Sequence, residues 1–418
     1  MTSRVFTCLA TGICLLLLGA NVAHARAPAW IGTWGAAPEP PTQARGPFPA
    51  TPSFAHQTIR EVVRISVGGF RVRIRFTNEY GTQPLRIGAA RVALADASGA
   101  PEAGTDRPVS FAGQSSASIP AGAPLLSDPI DLPVHPFSVL SISLYLPDET
   151  GPCTCHETGM QTAYVSESGD FTDRAFTPAK TFQGRAFLSG IEVETAGRAG
   201  AIVVLGDSIS DGVGSTPNAN HRWPDLFAER LAARRTRAQW GVVNMGISGN
   251  RVLQDGAGQS ALTRFDRDVL AVPGATYLIV FEGVNDLGIS FGHFEGPLAE
   301  FFKHQPTTDK ATAEAVIAGY RQLIARAHEK GMKVLGATIT PYGGAAYYSP
   351  EGETQREAIN RWIRTSGAFD GVLDFDAVLR DPQDPTRMAA PLQAGDHLHG
   401  SDAGYEALAR SIDLSLFK

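Results

Sequence analysis

Two regimes of hydrophobic patterning divide the chain near residue 199. Before it, apolar positions recur with period two: Val72, Ile74 and Phe76 alternate with Arg71, Arg73 and Arg75, the pattern of a strand with one wet face. Leu140, Ile142, Leu144 and Leu146 repeat the alternation, and Gly and Pro punctuate the intervals. Gly68-Gly69 joins residues 59–67 to the run beginning at Phe70, a two-residue hairpin signal. Helical periodicity is nearly absent. Residues 27–198, ~170 in all, are enough for a core of their own. They are predicted to form an accessory antiparallel β-sandwich, with a jelly roll among the candidate topologies.

After residue 199 buried-strand and helix patterns alternate. Ala201-Ile202-Val203-Val204-Leu205 is a continuous apolar run, followed by a helical stretch over 223–231 with Pro224 at its start. Val242-Val243 and Tyr277-Leu278-Ile279-Val280-Phe281 are further strand signals. Residues 311–330 form a helix stopped by Gly331, and residues 333–339 a strand. Residues 353–364 and 372–375 repeat the alternation. Such order implies a parallel sheet covered by helices on both faces, a three-layer doubly wound α/β domain over residues 199–418. Residues 291–308, containing His293 and His304, read as a long insertion, either a lid or substrate wall or a plain surface excursion.

Chemistry-bearing residues cluster where these strands end. Gly206-Asp207-Ser208-Ile209-Ser210-Asp211-Gly212 follows the first strand, Asn244-Met245-Gly246-Ile247-Ser248-Gly249-Asn250 the second, and Gly283-Val284-Asn285-Asp286 the third. Asp396-His397-Leu398-His399 lies near the far end. Open α/β sheets place their chemistry at the carboxyl ends of strands. With four blocks in this order, residues 199–418 resemble the SGNH (GDSL-type) hydrolase family. The resemblance implies Ser208 as nucleophile, His399 as base and Asp396 as the orienting acid. It implies an oxyanion hole from Ser208, Gly249 and Asn285. Ile209 stands where the family name has Leu, and Gly400 where many relatives carry Pro. Several exported relatives carry an N-terminal β-domain, so the likeness extends more loosely over residues 27–198.

These residue types suit acyl transfer. A serine hydroxyl needs a base to take its proton, and histidine is the side chain best placed to do so near neutrality. A carboxylate on the other ring nitrogen fixes the tautomer and steadies the imidazolium. Donors then meet the oxyanion: a backbone N–H at Gly249 and at Ser208, a side-chain amide at Asn285. Each residue also has a plainer reading. Ser208 can cap a helix, Gly249 mark a tight turn and Asn285 form a turn; Asp207 reads as a turn organiser and Asp286 as a cap or loop organiser. His397 reads as a solvated loop histidine, and Arg222 and Trp223 as packing residues.

Other motifs fail on particular letters. The G-x-S-x-G elbow needs glycine at position 210, where Ser stands. A dinucleotide fingerprint needs a third glycine where Pro217 stands, and no phosphate-loop lysine follows. No H-E-x-x-H helix accompanies His397 and His399, so neither metal nor cofactor is expected.

The first 25 residues have a signal peptide's order: Arg4, a mostly apolar stretch from Cys8 to Ala20, then Ala23-His24-Ala25. Cleavage near Arg26 removes one Arg and no acid, taking the formal charge from -6 to -7. That mild acidity speaks against non-specific nucleic-acid binding, and no later segment is apolar and long enough to span a bilayer. Cys153 and Cys155 then remain, either as thiols or as a small disulfide ring. The expectation is a secreted or periplasmic serine esterase acting on short, acetyl-like acyl esters of a carbohydrate or small alcohol. An acetylated glycan is the candidate partner, and all five candidate residues lie beyond the β-rich segment. Alternatives are a lipid-directed esterase or lysophospholipase, an acyltransferase, and a non-catalytic glycan-binding protein.

Overall fold

The computed structural model describes Thr2 and residues 28–44, 49–96, 99–234, 238–294 and 309–418. The signal-peptide reading, and the insertion with His304 from residue 295 to 308, lie outside the described residues. Of the insertion's start, Phe291 closes a helix and His293 is exposed.

The apolar runs of the second half become a five-stranded parallel sheet. Its order is Ala238–Gly246, Arg198–Gly206, Ala275–Phe281, Lys333–Ala337, Gly371–Leu373. Residues 201–205 are wholly buried because both faces of the sheet are covered. Helices Trp223–Ala233, Phe375–Leu379 and Asp402–Ser411 pack together as one layer. Val284–Phe291, Ala313–Glu329 and Pro350–Thr365 pack as the other. Thr312, Ser349 and Ser401 cap three of these helices through their hydroxyls. The first strand in sequence lies between the second and third, so the winding direction reverses beside it. At such a switch point, loops leaving neighbouring strands diverge and open a crevice.

The first half is antiparallel, as its alternation predicts. One sheet runs Ala29–Gly35, Leu188–Thr195, Arg71–Thr77, Pro124–Leu126. The other has six strands centred on Gln57–Arg64 and Val139–Leu146. Val72, Ile74 and Phe76 from one, with Leu140, Ile142 and Leu144 from the other, share a core between them, consistent with a β-sandwich. The intervening arginines are not simply wet. Arg71 pairs with Glu194, Arg75 Nη2 lies 3.2 Å from Glu192, and Arg73 stacks over Trp30.

The Gly68-Gly69 hairpin does not form. The flanking strands belong to different sheets, and the chain crosses between them here. Neither glycine has the positive φ that a tight hairpin turn requires. Their role is close approach: a Cβ on Gly68 would lie 2.4 Å from Val134 O, and one on Gly69 2.5 Å from Glu194 O. Cys153 and Cys155 are joined as a disulfide.

The β-sandwich docks on the edge of the parallel sheet. Gly32 N–H donates to Pro273 O at 2.8 Å, and Val242 N–H donates to Ser66 Oγ at 2.9 Å. A Cβ on Gly241 would fall 2.0 Å from Gly32 O, so glycine there permits backbone-to-backbone contact. Ala37 enters the core of the parallel-sheet half. The edge strand Ala238–Gly246 is thereby covered, which removes a site for unwanted strand pairing. Among the described residues, no helix is long and apolar enough to cross a membrane.

Candidate active site

Ser208 opens a single helical turn, Ser208–Asp211, at the carboxyl end of the first parallel strand. Asp207 caps that turn, its carboxylate accepting from Ile209 N–H at 2.9 Å, so its side chain serves the turn. Gly212 ends it at φ +99, and Gly214 sits at φ +88 with its Cα facing the histidine loop. A Cβ on Gly214 would fall 2.7 Å from Gly400 O, so this glycine lets the Ser208 and histidine loops touch.

The histidine loop is built from the other side. Gln393 Oε1 accepts from Gly395 and His397 N–H, and Ala394 N–H donates to His399 O. Asp396 Oδ1 accepts the N–H groups of Leu398 and His399, leaving Oδ2 to accept from His399 Nδ1 at 2.5 Å. His399 Nε2 lies 2.8 Å from Ser208 Oγ. Partial burial acts to raise the Asp396 pKa, but the His399 contact and the backbone donors outweigh it and hold the carboxyl well below its usual range. His397 turns away at φ +62, its ring against Gly344. Tyr405, from the helix that Ser401 caps, lies under Gly400 and donates to Val213 O, tying this loop to the Ser208 loop.

The donors converge from two further loops. Gly249 has φ +79, and a Cβ there would lie 2.9 Å from that of Ala257. The N–H groups of Gly249 and Ser208 have no acceptor among the described residues. Asn285 lies in the first turn of the helix Val284–Phe291, where its sequence context reads as a loop. Its Nδ2 donates to Asn250 O at 3.0 Å, and its Oδ1 accepts from Tyr347 Oη at 3.1 Å. These contacts orient the amide and leave one N–H for a ligand.

Buried side chains support these loops, and Arg264 among them has no sequence signal of its own. Arg264, fully buried, donates to Gly206 O, Met245 O and Asn250 Oδ1, and contacts Asp268 and Glu282. One guanidinium thus spans the ends of three strands. Asp286 is a loop organiser rather than a helix cap, accepting from Val252 and Leu253 N–H; burial pushes its pKa up to about 6. Asp211 stands inside the serine block, yet its partners, Ser248 and His156, lie in distant segments. Trp223 is core, and Arg222 pairs with Asp225. Among the described residues, no group of three or more His, Cys, Asp or Glu is arranged to hold a metal.

Residues 204–407 match the GDSL-like Lipase/Acylhydrolase family. A GDSL-like lipase from Bacteroides thetaiotaomicron shares 16% identity over 52% of this chain and 87% of its own, with a TM-score of 0.36. An acetyl xylan esterase shares 20% over 50% of this chain and 96% of its own, at 0.37. A mutant of an acetyl-xylooligosaccharide esterase from Geobacillus Stearmophilus shares 20% over 51% and 93%, at 0.38. No curated protein matches the chain.

Proposed function

We propose, proceeding from residues 204–407 being a GDSL-like lipase/acylhydrolase domain, that this ester hydrolase works through Ser208 and an acyl-enzyme intermediate. The observation that carries the reading is the continuous chain Asp396–His399–Ser208, with contacts of 2.5 and 2.8 Å. In this reading Ser208 Oγ attacks the acyl carbonyl carbon while His399 Nε2 takes its proton. The oxyanion meets the N–H groups of Ser208, Gly249 and Asn285. His399 then returns the proton to the departing alcohol, and water repeats the sequence on the acyl-enzyme.

The substrate class we propose is a short acyl ester, acetyl-like, on a carbohydrate or small alcohol. The docked β-sandwich supports it by fold-level analogy, as a surface that accompanies a glycan. We also propose export, carried by the order of residues 1–25; the amino terminus of mature protein recovered outside the cytoplasm should lie near Arg26.

The test is a chromogenic ester series from acetyl to long acyl chains, run beside acetylated polysaccharides and phospholipids. Acetyl substrates should turn over fastest. Ser208→Ala should abolish fluorophosphonate labelling and cut turnover by about 10⁶, as in a comparable triad. Labelling at another serine would overturn the assignment, and preference for long chains or phospholipid would replace the substrate class.

A further inference from the structure

His156 of the β-rich half, backed by Glu39, reaches the serine block through the domain interface. His156 is buried, with Nε2 2.9 Å from Asp211 Oδ1. Its Nδ1 faces Ala37 O at 3.1 Å and Glu39 Oε1 at 3.3 Å. Both ring nitrogens therefore face acceptors, a demand that only the doubly protonated ring meets. Burial works against that charge, but Asp211 and Glu39 outweigh it and push the His156 pKa up to about 10.

The other oxygen of Asp211 does different work. Asp211 Oδ2 accepts from Ser248 N–H at 3.1 Å and from Ser248 Oγ at 2.8 Å. Ser248 immediately precedes Gly249, and Asp211 closes the turn that Ser208 opens. A single carboxylate thus links the segments bearing two backbone donors, Ser208 N–H and Gly249 N–H. A carboxylate held at one oxygen alone would rotate or take up water. The second contact fixes its plane, and that contact comes from the other domain.

We propose that His156 is a positioning residue for this hydrolase: through Asp211 it sets the Ser248-Gly249 loop against the Ser208 turn, so that the β-sandwich completes the oxyanion hole. This inference rests on the hydrolytic reading above. In this role the β-sandwich acts on the reaction through the separation of two donors.

The test uses full-length wild type, His156→Ala, His156→Gln, Ser248→Ala and the His156→Ala/Ser248→Ala double variant. Each is measured for kcat and KM on a chromogenic acetyl ester and for its rate of fluorophosphonate labelling. His156→Ala and Ser248→Ala should each lower kcat by about 10- to 100-fold, below the 10²–10³ loss of a donor itself, with KM nearly unchanged. His156→Gln, whose amide nitrogen can stand near the Nε2 position, should recover much of the loss. The double variant should be little worse than the poorer single, because both act through one carboxylate. Should His156→Ala fail to fold, His156→Gln and Ser248→Ala carry the kcat-against-KM comparison. Wild-type kcat in a folded His156→Ala, or additive losses in the double variant, would overturn the inference alone. A wild type inert to both the ester and the probe would overturn the hydrolytic reading and this inference with it.

Discussion

Asn285 is held at both ends of its amide, as the proposed role of meeting charge that arises only in a transition state requires. Tyr347 Oη fixes which end of its amide is the acceptor, and Asn250 O takes one of its two N–H bonds. The remaining N–H is the group proposed to meet the oxyanion. Asn285→Ala should lower kcat by roughly 10²–10³ with KM nearly unchanged, the signature of a transition-state donor. Tyr347→Phe should move kcat in the same direction by less, since it frees the amide to turn without removing it. Steady-state kinetics on one soluble ester compares the two; a raised KM with kcat spared would make Asn285 a ground-state binding residue. Gly249→Ala keeps the backbone donor, so its harm should come from strain at φ +79 and from crowding Ala257.

At the scale of elements, the strand-end loops converge because buried groups tie them from beneath. Arg264 joins Gly206, Met245 and Asn250 while facing Asp268 and Glu282. Desolvation, with Asp207 nearby, pushes the Glu282 pKa well up against the opposing pull of Arg264, and Asp268 meets the same buried guanidinium at 3.0 Å. Arg264→Met should therefore destabilise the fold by roughly 3–5 kcal/mol, the usual effect of breaking a buried pair from one side. Denaturant unfolding checks this; a loss under about 1 kcal/mol would fit a replaceable packing residue. The loops that Arg264 gathers were legible in sequence because each follows an apolar run with strand character. Arg264 was not, since nothing in Ala261-Leu262-Thr263-Arg264-Phe265 separates a buried guanidinium from a solvated one. Gly68-Gly69 misled for a related reason: glycine marks close backbone approach as readily as a turn, and only the partner strand distinguishes them.

Across the whole molecule, each half has a core of its own, and the contact between halves is polar where it meets the serine block. Period-two and alternating patterns show the two layers of organisation because they are local. The link from His156 to Asp211 spans 55 residues and two domains, so no local pattern announces it. It has a thermodynamic consequence that can be read without substrate. The His156 pKa rises from an ordinary 6.5 to about 10 in the folded chain. Between those values the folded state holds a proton that the unfolded state has released, so stability falls as pH rises. The contribution is complete below pH ~6.5 and lost as pH climbs through about 10. His156→Gln removes the titrating group while keeping an amide to face Asp211. Thermal melts should thus show wild-type Tm falling from pH 7 to pH 10 more steeply than that of His156→Gln. The two curves should lie furthest apart at neutral pH and approach each other at the alkaline end. Parallel curves across that window would mean that His156 enters the fold without its extra proton, and that its Nδ1 and Nε2 contacts are never made by an imidazolium.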